Sequence, residues 1–252
     1  MSRRDLILEE MGLGPVWRLR RSEQRGEAAE SGAERSAGPV PARGDAPSAI
    51  QTGDRVARIA QMGWPELKQA VGGCEACALC KTRRNTVFGV GDEQADWLLV
   101  GEAPGAEEDA RGEPFVGQAG RLLDNMLSAI GLQRRVGVYI ANVLKCRPPG
   151  NRNPEPEEVA RCSPHLVRQI ELIRPKLIVA MGRFAAQTLL NSDASIASMR
   201  GRLFEYQTVP LIVTYHPAYL LRNMPDKAKA WEDLVFARNS MRALSSGATP
   251  QA

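Results

Sequence analysis

The sequence predicts an α/β fold: a three-layer α/β/α sandwich around a central, mainly parallel four-stranded sheet. Three observations predict it. Short apolar runs at 97–100, 138–142, 177–181 and 211–214 have the length and near-continuous hydrophobicity of strands buried on both faces. Helical patterns separate or follow them, at about 119–130, 156–173, 183–190 and 228–244. Strand and helix in alternation call for a parallel sheet with helices on both faces and right-handed crossovers.

The chain of 252 residues has room for one large domain, or one domain and a tail. A hydrophobic fraction of 43% suffices for a core, and a formal net charge of +4 is mildly basic, compatible with nucleic acid. No apolar run is long enough to span a bilayer. The early arginines are followed by acids and a Gly-Pro step rather than an apolar h-region, so no signal peptide is read. Five cysteines, an odd number at metal-like spacing, point to the cytoplasm.

In chain order, residues 1–21 carry Leu6, Ile7, Leu8 and Met11, then Trp17 beside Arg18, Arg20 and Arg21. They read as a frayed tail or as a short docking helix for a protein partner. Residues 22–52 hold almost no large apolar side chain and cannot offset the entropy of ordering. The expected layout is a disordered extension over 1–53, a folded domain over 54–245 and a disordered tail over 246–252. Trp64-Pro65-Glu66-Leu67 opens a helix, with proline in its first turn.

Cys74, Cys77 and Cys80 then fall within seven residues, with Cys146 and Cys162 far downstream. A Cys-x-x-Cys turn presents two thiolates to one metal, and a second pair can complete a tetrahedral or cubane site. A local ferredoxin-type run would need a cysteine at position 84, which is Arg84, so distant ligands are required. Zinc competes with iron–sulfur, and Cys162-Ser-Pro-His165 offers it a Cys-x-x-His.

After the run at 97–100, Gly101, Pro104 and Gly105 break regular structure around Glu102. A Gly/Pro turn at the carboxyl end of a strand lets main-chain N–H groups approach a ligand. Pro114-Phe115-Val116-Gly117 follows with an aromatic ring in a loop. Leu122, Leu123, Met126, Leu127 and Ile130 then make the stripe of an amphipathic helix.

These parts together resemble the family 4 uracil-DNA glycosylases, the iron–sulfur type. The resemblance covers about residues 64 to 231. It rests on Cys-x-x-Cys-x-Leu at 74–79, GEAPG at 101–105, GEPFVG at 112–117, NVLKCRPP at 142–149, Cys162, and HPAYLLR at 216–222. It implies a [4Fe–4S] cluster on Cys74, Cys77, Cys146 and Cys162; Cys80 matches no ligand position. It implies uracil-containing DNA, single- or double-stranded, as partner, and an enzyme that hydrolyses the N-glycosidic bond of deoxyuridine. No membrane is expected, and a cytoplasmic, nucleoid-associated monomer is. A related class that traps uracil covalently carries a histidine where 146–154 has none, and another replaces Glu102 by an apolar residue. A non-catalytic DNA-binding or polymerase-associated module on the same fold is the alternative, and a zinc-bound hydrolase of free nucleotides is another.

Such an enzyme must take the base out of the stack. Phe115 is the expected stacking ring. Asn142, at the end of a strand, can accept from uracil N3–H and donate to O4, groups that cytosine reverses. The resemblance gives His216 the donor role to uracil O2, where charge develops. Glu102 either orients the attacking water or stabilises the cationic sugar. Main-chain groups at Gly101 and Ala103 are expected to help hold water and uracil, and the resemblance implies that Glu108 crowds the C5 position against thymine. Leu220 and Leu221 are the expected wedge and Arg222 its phosphate anchor. Lys81, Arg83, Lys145, Arg147 and Arg152 are further candidates for phosphate contacts.

Overall fold

The structure, a computed structural model, describes residues 49–247. The expectations for residues 1–21, for 22–48 and for 248–252 lie outside the described residues. Helix α1 spans Ala49–Gln61. It therefore begins five residues before the domain boundary expected at 54. Helix α2, Trp64–Gly72, has Pro65 in its first turn, and Glu66 accepts the Gly63 N–H at 3.0 Å. A 3-10 turn at Ala78–Lys81 carries the chain past the cysteine-rich segment.

The sheet has six strands, not four, in the order β1-β3-β2-β4-β6-β5. They are β1 (Val90–Gly91), β2 (Trp97–Gly101), β3 (Val138–Asn142), β4 (Leu177–Met181), β5 (Leu203–Tyr206) and β6 (Val209–Thr214). The four expected strands form its parallel centre, in the order β3-β2-β4-β6. The two additional strands are antiparallel edges. Neither writes a buried run into the sequence, because β1 has two residues and β5 is half-exposed. Every residue of β2, β3 and β4 is buried, which is why those strands could be read from hydrophobicity alone.

The remaining helices are α3 (Ala106–Arg111), α4 (Gln118–Ala129), α5 (Pro156–Ile173), α6 (Arg183–Leu190), α7 (Ile196–Met199), α8 (Pro217–Arg222) and α9 (Asp226–Ser245). Strand side chains alternate between two apolar layers. Trp97, Leu99, Ile140 and Val179 pack with Leu123, Leu127 and Leu234 of α4 and α9. Leu98, Val100, Ala141 and Ile178 pack with Leu166, Ile170 and Leu189 of α5 and α6. From β2 the chain runs through α4 to β3 on one side, then through α5 to β4 on the other. At such a reversal a crevice opens beyond the carboxyl ends of the strands. Among the described residues no helix is long and apolar enough to cross a membrane.

Candidate active site

A cleft of about 700 Å³ occupies that crevice. Each central strand delivers a side chain to it. Glu102 follows β2, Asn142 ends β3, Arg183 follows β4, and Tyr215 and His216 follow β6. The loop between α3 and α4 adds Phe115.

Phe115 is held in a conformation that few side chains adopt, with φ of 54°. Arg134 fixes it there. Its guanidinium donates to the Pro114 and Phe115 carbonyls, both at 2.9 Å, and pairs with Asp124 at 2.8 Å. The Phe115 ring is 5.4 Å from the His216 ring and tilted by 30° to it. Gly101 lies beneath both Phe115 and Asn142. A Cβ there would collide with Asn142 Oδ1 and come within 2.7 Å of Phe115 Cζ. Glycine at this strand end is what lets the ring and the amide close over one floor.

Asn142 is 2% exposed, and among the described residues its Oδ1 has no hydrogen-bond partner. A buried acceptor without a donor costs about 1–3 kcal/mol, so the fold tolerates it for a reason outside folding. His216 caps α8, and its Nδ1 accepts the Ala218 N–H at 3.1 Å. Burial, seconded by the charge of Arg222 and opposed by Glu108, pushes its pKa down to about 4. The ring is therefore neutral near pH 7. With Nδ1 accepting, its proton sits on Nε2 as a donor. Gly182, at φ of 90°, passes under this ring, where a Cβ would stand 2.8 Å from that of His216.

Two carboxylates line the cleft, in different states. Glu108 is engaged by main-chain donors: Oε2 accepts from Gly105 at 3.2 Å, and Oε1 from Val116 and Gly117 at 2.9 and 3.1 Å. It latches the GEAPG turn to the Phe115 loop. Glu102 is pushed up by burial, and the positive charge of Arg183 acts against that shift. The end of β6 is braced from outside. Thr214 donates to Asp233 at 2.8 Å and Arg200 to the same oxygen at 3.0 Å. Tyr215 stacks on Tyr219 at 5.2 Å, and the Tyr219 hydroxyl donates to Asp226 at 2.6 Å.

Behind the cleft, Cys74, Cys77, Cys146 and Cys162 line one small recess, which Cys80 does not join. Burial raises the pKa of Cys77 and Cys146, and takes that of Cys162 up to about 12. Donors already face the sulfurs: Arg83 to Cys146 at 3.1 Å, Arg55 to Cys74 at 3.6 Å and the Lys145 N–H to Cys162 at 3.3 Å. Among the described residues no three His, Cys, Asp or Glu side chains are gathered closely enough for a single metal ion.

A model of the Uracil DNA glycosylase superfamily matches residues 88–235. The chain belongs to that superfamily. Three similar relatives are each called a type-4 uracil-DNA glycosylase. That of Archaeoglobus fulgidus is 53% identical over 59% of this chain and 78% of its own length. That of Thermotoga maritima is 43% identical over 67% of this chain and 90% of its own. That of Saccharolobus solfataricus is 41% identical over 69% of this chain and 82% of its own.

On this glycosylase scaffold several expected placements change. Lys145, expected on phosphate, is 1% exposed, with its ammonium on the Asn142 carbonyl and Gln169. Arg83 is turned inward onto Cys146 and the Cys74 carbonyl rather than outward to DNA. Leu220, expected as a wedge, is 1% exposed in the apolar core, because α8 turns that face toward α4. Its neighbour Leu221 is 40% exposed, and Met224 beyond it 59%. Gly101 lies under the cleft, while Ala103 lines it. Lys81 and Arg222 are exposed, and Arg222 stands at the cleft. Arg152 lines the cleft too, bound to the buried Glu158 at 2.6 Å. Sequence reasoning missed Arg134, Arg183 and Met224. Only Met224 left a signal, an apolar residue after the basic end of a short helix.

Proposed function

We propose that this protein removes uracil from DNA. It takes a flipped deoxyuridine into the cleft, hydrolyses the N-glycosidic bond and leaves an abasic site for base excision repair. The observation that carries this reading is the unpartnered, buried Asn142 Oδ1, in one cleft with the Phe115 ring and the Nε2–H of His216. Uracil N3–H supplies the missing donor, and the amide N–H₂ donates to O4. Cytosine offers a lone pair at N3 and an amino group at C4, so both contacts would fail and leave buried polar atoms unpaired. Phe115 stacks the base. His216 donates to O2, where negative charge grows as uracil departs, and a neutral imidazole needs no proton from solution to do so. Glu102 faces the sugar, holds the attacking water and balances the positive charge that develops there. Glu108 keeps the loops in register and walls the base edge.

The four thiols around one recess support an iron–sulfur cluster. A [4Fe–4S] cluster takes one thiolate at each of its irons, and four cysteines around one recess can supply that set. Arg55 and Arg83 bring positive charge to where thiolates would stand, and the Lys145 main-chain N–H faces Cys162. The group, when bound, cross-links the 74–77 segment to the 146 and 162 segments. Exposed Lys81 and Arg222 contact phosphate, giving salt-dependent affinity, and Leu221 with Met224 fills the gap left by the base.

The test is alkali-revealed cleavage of a labelled oligonucleotide carrying one uracil, with a thymine control. Cleavage at uracil alone is expected. Protein that binds the oligonucleotide without cleaving it would make this a non-catalytic module. The Glu102 pair gives a second expected result. Burial raises the Glu102 pKa and Arg183 opposes it, so Arg183→Gln raises it further. If the carboxylate is the active form, rate is lost as pH falls through that pKa. The acid limb of the kcat profile should then move to higher pH in Arg183→Gln and stay near the parent's in Arg183→Lys.

A further inference from the structure

Lys145 is the buried charge that the chemistry above does not use. Its ammonium is 1% exposed and makes two short bonds, to the Asn142 carbonyl at 2.8 Å and to Gln169 Oε1 at 2.6 Å. Its main chain is equally committed. The N–H reaches Cys162 Sγ at 3.3 Å, and the carbonyl accepts from Val87 at 2.7 Å. Gln169 is fully buried on α5, and its own N–H₂ donates to the Phe88 carbonyl at 3.0 Å. One residue thus joins the cysteine recess, the long helix and the end of β3. The group it holds in β3 is the carbonyl of the residue whose side-chain oxygen stands unpaired in the cleft.

The neighbouring main chain shares this hold from the opposite side. Val143 and Leu144 donate to the Gly101 and Glu102 carbonyls, both at 3.0 Å, which fixes the segment after Asn142 to the β2 turn. At Asn142 itself the β3 ladder ends, since its register partner Gly101 is the last residue of β2. The Asn142 carbonyl at the open end of the strand is tied by the lysine. The Asn142–Val143 peptide is thus gripped on both sides, its N–H by the Gly101 carbonyl and its C=O by the lysine, and only the second grip ties it to the cysteine recess.

We infer that Lys145 is a positioning residue for base recognition: its buried ammonium holds the Asn142 main chain so that the Asn142 amide faces the cleft, and so couples the uracil-reading residue to the cysteine recess. The inference rests on the proposed uracil pocket. Without the ammonium, the Asn142 carbonyl and Gln169 Oε1 would be unpaired acceptors in a dry interior, and each would move to find a donor.

The experiment uses the metal-replete protein with Lys145→Met, which keeps the length and apolar bulk of the side chain. Iron content and visible absorbance are measured first, for the parent and the variant. The readouts are inhibition of excision by free uracil and affinity for an oligonucleotide carrying an abasic site, which offers Asn142 nothing to read. Expected is a loss of about tenfold or more in uracil affinity at unchanged iron content, with abasic-DNA affinity within about twofold of the parent's. Unchanged uracil affinity in iron-replete Lys145→Met would overturn the inference, as would equal loss of both affinities. If Lys145→Met loses iron or fails to fold, Gln169→Leu keeps the lysine and removes its second acceptor. Gln169→Leu should lose uracil affinity about threefold while holding abasic DNA, and no change would overturn the inference. A parent that does not excise uracil would defeat the functional reading itself, separately from the role of Lys145.

Discussion

Asn142→Ala is expected to lower kcat/KM on uracil-containing DNA about a thousandfold and to leave the melting temperature unchanged or raised. The first half follows from the two contacts proposed for the amide with uracil, at O4 and N3–H. The second half follows from the orphaned Oδ1. Truncation removes a buried acceptor that the folded protein does not satisfy, a relief of about 1–3 kcal/mol that offsets the small cavity left behind. Stability and activity therefore move apart. Steady-state cleavage beside a thermal melt reads both. Activity within a few-fold of the parent would remove Asn142 from the pocket, and a melting temperature that falls with activity would make it an ordinary structural residue.

His216→Ala is expected to lower kcat about 10²- to 10³-fold while changing affinity for abasic DNA by less than about threefold. In the proposed reaction the donor acts on charge that exists only as the bond breaks, so the ground state should hardly feel its loss. Single-turnover cleavage and equilibrium binding separate the two, and equal loss in both would end the transition-state role. The same residue has a signature in stability. Its folded pKa of about 4 lies below the ordinary value of about 6.5. Between those values the unfolded chain takes a proton that the folded chain refuses, so this contribution is present above pH 6.5 and is lost as pH falls toward 4. His216→Ala should flatten the stability profile over that window. A profile that keeps the parent's slope would mean that the ring is not held neutral.

The centre of the sheet was legible because its strands are buried on both faces and spell continuous apolar runs. The edge strands were not, since a two-residue strand and a half-exposed one follow no such rule. In the cleft, the polar residues that the sequence singles out just after apolar runs, Glu102, Asn142 and His216, are ones that the strand ends bring together. The sequence says nothing of what faces inward. Lys145 and Arg83 look like surface charge until α5 and the cysteine segment close over them. Leu220 and Leu221 are equivalent on paper, and only the orientation of α8 separates core from surface. The Glu108 latch is beyond sequence reading for another reason: its partners are main-chain N–H groups, which every residue but proline carries.

The convergence of four strand ends on one cleft has a consequence for synthesis of the chain. Glu102 and His216 are 114 positions apart, and β6 pairs with β4 only after α5 and α6 have been made. A nascent chain that has emerged through β4 can bury much of both layers, yet it lacks the wall that holds His216. The cleft is complete only once β6 has paired with β4 and α9 has packed against β6, anchoring Thr214 through Asp233. Until then a chain with its β4 edge unpaired is a target for chaperones, and it lacks the full set of residues proposed to excise a base.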